Sequence, residues 1–214
     1  MQKGKVFYNI IIGIIIVALI VAIGYTAYYY ISKNVELSEM EDVVGEFENR
    51  VIVVSMEENE EQQLEGETEI EEPNYTSSSE SIYYRGYEVI GIIEIPATRV
   101  RAPIVDRVTV DSIALSVGVL YGPGLNQVGN TVLAAHNYRD GTFFSNNKNL
   151  SVGDKIYITD ITGQEIEYAI TKSYITGETD FEYAIRNTEG KREISLSTCT
   201  TDPTKRLVIW ARET

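Results

Sequence analysis

From Val6 to Ser32 the chain runs for 27 residues without a charge, and Ile and Val dominate between Ile10 and Ile23. About 20 apolar residues suffice for a helix to cross the hydrocarbon core of a bilayer. Within lipid, a helix also satisfies all of its own backbone polar groups. The run therefore predicts a membrane-spanning helix that divides the chain between two compartments. Lys3 and Lys5 precede it, whereas the 47 residues after Lys33 are strongly acidic. The positive-inside bias then places the N-terminus in the cytoplasm and everything beyond Lys33 outside. Tyr25, Tyr28, Tyr29 and Tyr30 crowd the far end, where aromatic rings suit the membrane–water interface. A cleaved signal peptide is the rival reading, but its apolar region should span only about 7–15 residues and end at a small-x-small site. Here the run is longer, and the tyrosine cluster stands where that site belongs. The expectation is an uncleaved single-pass anchor over residues 1–33.

The formal net charge of −14 is spread unevenly. Residues 1–33 carry three lysines and no acid, residues 34–80 carry 16 acids and one base, and residues 81–214 carry 14 bases and 16 acids. The acidity thus belongs to the connector, and the C-terminal part is nearly neutral. A nucleic-acid partner, which calls for a basic patch, is excluded on that ground. Residues 34–81 read as an acidic extracellular stalk. At its start Leu37, Met40, Val44, Phe47 and Val51 follow helical spacing, which predicts a short amphipathic helix with a packing or dimerising stripe. From Glu57 to Ser81 the composition is Glu, Gln, Asn, Thr and Ser around Pro73. Such a stretch buries too little apolar surface to offset its ordering entropy, so a flexible, charge-extended tether is expected.

The globular part is expected over residues 82–214, a normal size for one domain. Short Val/Ile/Tyr/Thr runs punctuated by Gly, Pro, Asn and Asp dominate it. They predict strands at 88–95, 100–105, 131–135, 155–160, 165–176, 193–199 and 206–212. Gly153-Asp154 and Thr162-Gly163 sit between alternating segments, as hairpin turns do. Short helices are expected near 109–117 and 141–150. The fold class is mainly β, a barrel or sandwich with helical insertions.

Cys199 and His136 are the chain's single cysteine and single histidine, and both fall on the exported side. Exported proteins pair their cysteines or dispense with them, because an idle thiol is a liability in an oxidising compartment. An unpaired one is buried packing, as free Cys commonly is, or a nucleophile. Cys199 ends a predicted strand and opens into Thr200-Thr201-Asp202-Pro203; His136 ends another; Arg206 begins the strand after Cys199. Strand ends that open into loops present reactive groups on a rigid scaffold. If the three strands are neighbours, the three side chains converge. A zinc site would want four Cys/His-type ligands where two exist, so no metal ligand set is assigned.

In these residues the chain resembles the sortases, the membrane-anchored cysteine transpeptidases of Gram-positive bacteria. The signature Thr-Leu-x-Thr-Cys is represented by Ser195-Leu196-Ser197-Thr198-Cys199, and the downstream arginine by Arg206. The histidine element is similar to Gly129-Asn130-Thr131-Val132-Leu133-Ala134-Ala135-His136, followed by Asp140-Gly141-Thr142-Phe143-Phe144 and Gly153-Asp154-Lys155-Ile156. Gly91-Ile92-Ile93-Glu94-Ile95-Pro96 resembles the start of the family's barrel. Two departures are Ala135, where many members have Gly, and Ser195 for Thr.

The resemblance implies an eight-stranded β-barrel and a two-step acyl transfer. Cys199 attacks a backbone carbonyl in a Leu-Pro-x-Thr-Gly-like sorting peptide of a secreted protein. His136 protonates the departing amine, Arg206 steadies the oxyanion or the peptide backbone, and Thr198 helps position the substrate. Thr198 also reads simply as a strand residue of good β-propensity. An amine, usually from a peptidoglycan precursor, then resolves the thioacyl enzyme and fixes the surface protein to the cell wall.

Elementary chemistry fits this division of labour. A free Cys with a pKa near 8.5 is only about 3% thiolate at neutral pH, yet thiolates are nucleophilic enough for a small fraction to serve. A poor amine leaving group needs an acid, for which His is best poised. A cation that never deprotonates suits a charge that develops only in the transition state. No cofactor is expected, and calcium dependence stays open, since Asp160, Glu165, Glu178 and Asp180 read as solvated carboxylates. A pilin-polymerising relative usually has a lid and a second membrane helix near the C-terminus, and neither is evident up to Arg212-Glu213-Thr214. The L,D-transpeptidases place Arg within a couple of residues of a Ser-x-Gly-Cys element, unlike the spacing of seven here. The short 177–192 segment disfavours subclasses with a large helical insertion at that point.

Overall fold

The computed structural model describes residues 2–64 and 81–214, with side chains described over 8–52 and 81–214. One helix, α1 (Gln2–Leu64), contains the whole apolar run. It is long and apolar enough to cross a membrane, and none of its most apolar window is buried in protein. That fits a single-pass anchor. Residues up to Glu41 form one compact unit, and residues from Asp42 onward form a second. Of the expected tether, Glu57–Leu64 continues the helix, and residues 65–80 lie outside those described.

The second unit contains β1 (Tyr83–Tyr84), β2 (Tyr87–Ile95), β3 (Val100–Val105), α2 (Ser112–Leu115), β4 (Val117–Tyr121), β5 (Gly129–Ala134), β6 (Lys155–Asp160), β7 (Glu165–Gly177), β8 (Arg192–Cys199) and β9 (Lys205–Glu213). Eight strands close in the order β2-β3-β4-β5-β8-β9-β7-β6, with β6 paired back onto β2. Only β3–β4 and β5–β8 run parallel. The expected eight-stranded barrel is therefore present, with β1 as a two-residue addition to β2. Closure depends on Gly91, because a Cβ there would lie 2.6 Å from the Thr159 carbonyl oxygen of β6. An eight-stranded barrel has an interior just wide enough for side chains to fill it. Ile93, Ile95, Ile104, Leu133, Ile156, Ile158, Ile170, Ile194, Leu196 and Ile209 are fully buried. Each contributes roughly 1.5–3 kcal/mol by leaving water.

Within the second unit, the later part of the amphipathic stripe is a packing surface, whereas Leu37 is exposed. Val44 and Phe47 are buried, Arg101 of β3 pairs with Glu48 and with Glu94, and Gly163 leaves the space that Val51 enters.

Of the two expected short helices, the first is present but shorter than expected and the second gives way to turns. Over 109–117, only Ser112–Leu115 is helical, started by reciprocal bonds between Thr109 and Ser112. Ser116 then goes extended, its hydroxyl donates to Pro103 O, and Val117 begins β4. Pairing with β3 and β5 holds the strand, and Gly118 fits there because a Cβ would sit 3.2 Å from Arg107 O. Over 141–150, turn chemistry wins. Gly141 and Phe143 have positive φ, Asp140 accepts from Thr142 N, and a single 3-10 turn forms at Asn147–Asn149. Side chains that bond their own backbone compete with helix in this way.

Candidate active site

β8 and β9 form a hairpin in which Cys199 stands directly opposite Arg206, at the roughly 5 Å Cα spacing of antiparallel neighbours. The connecting turn is fixed by its own side chains. Thr200 N donates to Lys205 O at 3.2 Å, and Asp202 Oδ1 accepts from both Thr204 N and Thr204 Oγ1. Those bonds from Thr204 hold the Asp202 carboxyl below the usual range. Cys199 is half-buried and has no disulfide. The Arg206 guanidinium is half-buried, donates to Pro203 O at 2.8 Å and lies 3.6 Å from Glu178 Oε2.

His136 arrives from the other side of β8. The parallel β5–β8 ladder pairs Ala134 with Ser197, so two residues on, His136 stands level with Cys199. Past the strand, side chains take over the stitching. Thr198 Oγ1 donates to Ala135 O at 2.7 Å, and Asn137 Nδ2 donates to Cys199 O at 2.9 Å. Arg139 Nη2 reaches Thr201 O at 3.2 Å. The His136 ring lies 4.9 Å from that of Tyr138, and partial burial pushes its pKa below the ordinary 6.5. At neutral pH the imidazole is mainly neutral and able to accept a proton.

The three residues named from sequence thus occupy the same end of three adjacent strands. Thr198 is placed differently from them. It alternates with Cys199 on the same face as Ile194 and Leu196, is buried, and engages Ala135 through its hydroxyl. Sequence reasoning missed Asn137 and Tyr138, and it read Glu178 as a solvated carboxylate where the structure sets it 3.6 Å from the Arg206 guanidinium. Asn137 follows His136 directly, but nothing in its identity signals a bond to a residue 62 positions away.

Below the row of reactive groups, the outer face of β5, β8 and β9 is covered by residues 178–187. Arg186 pins this cover. Its Nε donates to Glu193 at 2.7 Å, its Nη1 to Ser195 Oγ and Tyr183 O, and its Cζ lies 4.5 Å over Trp210. Asn130 Nδ2 donates to the Tyr183 and Ala184 carbonyls. A cavity of about 400 Å³ opens beside Asn130, Tyr121 and Ile185. It lies about 20 Å along the strand from His136, counted at the rise of a β-strand.

The four carboxylates considered for calcium do not gather. Asp160 bonds Asn126 and Thr162, Glu165 accepts from Thr159 Oγ1, Glu178 faces Arg206, and Asp180 bonds Thr176 and Glu182 N. Among the described residues, no three His, Cys, Asp or Glu side chains group as a metal site.

Comparison with known proteins identifies the domain. Residues 93–214 match the sortase domain model. Among solved structures, a lid mutant of sortase A from Corynebacterium diphtheriae is 26% identical, with a TM-score of 0.54 over 59% of this chain and 70% of that one. Sortase C1 from Streptococcus suis is 27% identical, with a TM-score of 0.54 over 60% and 74%. A sortase D5 transpeptidase from Clostridium perfringens shares the fold at 23% identity, with a TM-score of 0.60 over 83% and 99%. No curated protein matches.

Proposed function

The chain belongs to the sortase family, and on that premise we propose a cysteine transpeptidase with Cys199 as nucleophile, His136 as proton carrier and Arg206 as oxyanion partner. The observation that carries this reading is the alignment of the three at one end of β5, β8 and β9, with Cys199 opposite Arg206. The Cys199 thiol gives its proton to the neutral His136 imidazole as the sulfur attacks the Thr–Gly carbonyl carbon of a Leu-Pro-x-Thr-Gly-like peptide. The carbonyl electrons move onto oxygen, where the Arg206 guanidinium offsets the new charge. Collapse breaks the C–N bond, and the amine leaves with the proton from His136. A thioester on Cys199 remains. An incoming amine attacks it, His136 takes the surplus proton and returns it to the departing sulfur, and the enzyme is restored.

Thr198 acts on the peptide through the strand that it fixes. The acceptor is a cell-wall precursor amine, so the product is a surface protein joined to peptidoglycan. The apolar part of α1 anchors the enzyme as a single pass, with its N-terminus in the cytoplasm.

The test uses the full chain in detergent, incubated with a library of Leu-Pro-x-Thr-x peptides and read by mass spectrometry. A thioester on Cys199 and cleavage after Thr are expected, and Cys199→Ala should fold normally and show neither. Adding a wall-precursor amine or a pilin domain as acceptor then separates wall anchoring from pilin polymerisation. A Cys199→Ala chain that cleaves at the wild-type rate ends this reading.

A further inference from the structure

Past Ala134 the parallel ladder between β5 and β8 runs out of backbone. Its last backbone rung is Ala135 N to Ser197 O at 3.4 Å. The chain then carries His136 away from the sheet at the point where the Cys199 carbonyl needs a donor. Asn137 supplies it, with Nδ2 2.9 Å from Cys199 O. The other end of the same amide is also occupied, because Arg139 N donates to Asn137 Oδ1 at 3.2 Å. Arg139 has a φ of +61°, so the chain turns sharply just after the amide. The side chain is therefore held from both sides, one residue from His136, and grips the backbone of Cys199 itself.

We propose that Asn137 is a positioning residue whose side-chain amide replaces the missing rung and sets the interval between His136 and Cys199. The inference rests on the roles proposed above for those two residues. Proton transfer between sulfur and imidazole needs the heavy atoms within hydrogen-bond reach, and a misplacement of about 1 Å can cost about 100-fold in rate. Phe144 N donates to His136 O at 3.3 Å, which ties His136 to the following loop but not to β8. Between His136 and Cys199 the nearest other ties are those at Ala135, from Thr198 Oγ1 and to Ser197 O. The bond at Asn137 ties the histidine loop to Cys199 itself. Arg139 Nη2 on Thr201 O is exposed, and such a contact holds the loop less firmly than a half-buried amide.

His136 is the single histidine, so its imidazole can be titrated by NMR without assignment in the full chain in detergent micelles. Asn137→Ala and Asn137→Asp are compared with wild type. The aspartate keeps the shape and the acceptor for Arg139 N but has no donor for Cys199 O. In both variants kcat on the library peptide that wild type cleaves best should fall about 10–100-fold, with KM within two-fold. In Asn137→Ala the His136 midpoint should rise toward the ordinary 6.5 as the ring meets water. A merely structural role would lower the melting temperature and leave both the midpoint and kcat alone. A midpoint equal to wild type in Asn137→Ala, or wild-type kcat in Asn137→Asp, overturns the inference. If wild type cleaves no peptide, the functional reading fails. The midpoint then still decides whether Asn137 holds His136.

Discussion

Glu193→Ala tests the buried charge that fastens residues 178–187 to the barrel. Glu193 is 7% exposed, and one carboxylate oxygen meets Arg186 Nε at 2.7 Å. The other meets Arg212 Nη2 at 2.6 Å. Arg186 is 12% exposed, and burial lowers its pKa even against the opposing pull of Glu193. Removing the carboxylate leaves the guanidinium out of water with only neutral oxygens and the face of Trp210. Losing one partner of a buried pair costs about 3–5 kcal/mol. The Arg212 arm adds little, because that side chain is 42% exposed and solvent screens it. At about 2–4 °C per kcal/mol for a domain of this size, the melting temperature should drop by roughly 6–20 °C. Trp210 is the single tryptophan and lies under Arg186, so its fluorescence during thermal unfolding reports on this cluster directly. The double variant Arg186→Met with Glu193→Leu should regain most of the loss, since an apolar pair needs no desolvation. A drop below about 2 °C in Glu193→Ala, or a double variant no better than the single, would show that water reaches the pair and that the reasoning is wrong.

Asn126 is a second buried hub, its two Nδ2 hydrogens shared among Ile158 O, Asp160 Oδ2 and Gln164 O while Oδ1 accepts from Tyr168. It also has a φ of +56°, which Asn tolerates better than Ala, so Asn126→Ala should cost about 3 kcal/mol or more by chemical denaturation; a loss under 1 kcal/mol would contradict the hydrogen-bond network. For His136, burial lowers the folded pKa below the unfolded 6.5, so the unfolded chain binds its proton first as pH falls. The stability from the neutral ring is full above about pH 6.5 and is lost as pH falls through the folded value. Wild type should therefore lose stability relative to His136→Gln between pH 7 and 5.5, and the opposite slope refutes the assignment.

Most of this barrel was legible because strand alternation is a local signal. Seven of its strands are announced by β-branched and aromatic runs bounded by turn residues, and each of those runs pairs in the sheet. β4 was not legible. Val117-Gly118-Val119 is short, follows a segment with helical character, and is a strand because β5 pairs with it at Ala134, Leu133 and Val132 and β3 at Ile104 and Val105. The same distinction separates the reactive groups from their supports. Cys199 and His136 are conspicuous by rarity, and Arg206 by its place at a strand start seven residues after Cys199. Asn137 and Arg186 are ordinary polar residues whose meaning arises only when the β5–β8 register is known.

The barrel's parallel pair explains why reactive groups and supports meet where they do. An antiparallel neighbour delivers the opposite end of its strand to the Cys199 level, as β9 delivers Arg206 at its start. A parallel neighbour delivers its own C-terminal end, as β5 does. One strand flanked by both kinds therefore has its final residue beside the exit of one neighbour and the entry of the other. The exit leaves a carbonyl on β8 without a backbone donor, and a side chain must supply one. A residue adjacent to the histidine is well placed to do so, because the same bond closes the ladder and fixes the ring. If Asn137 were instead a passive surface residue, its removal would leave Cys199 O to water, and the rate and the His136 titration would both stay as they are.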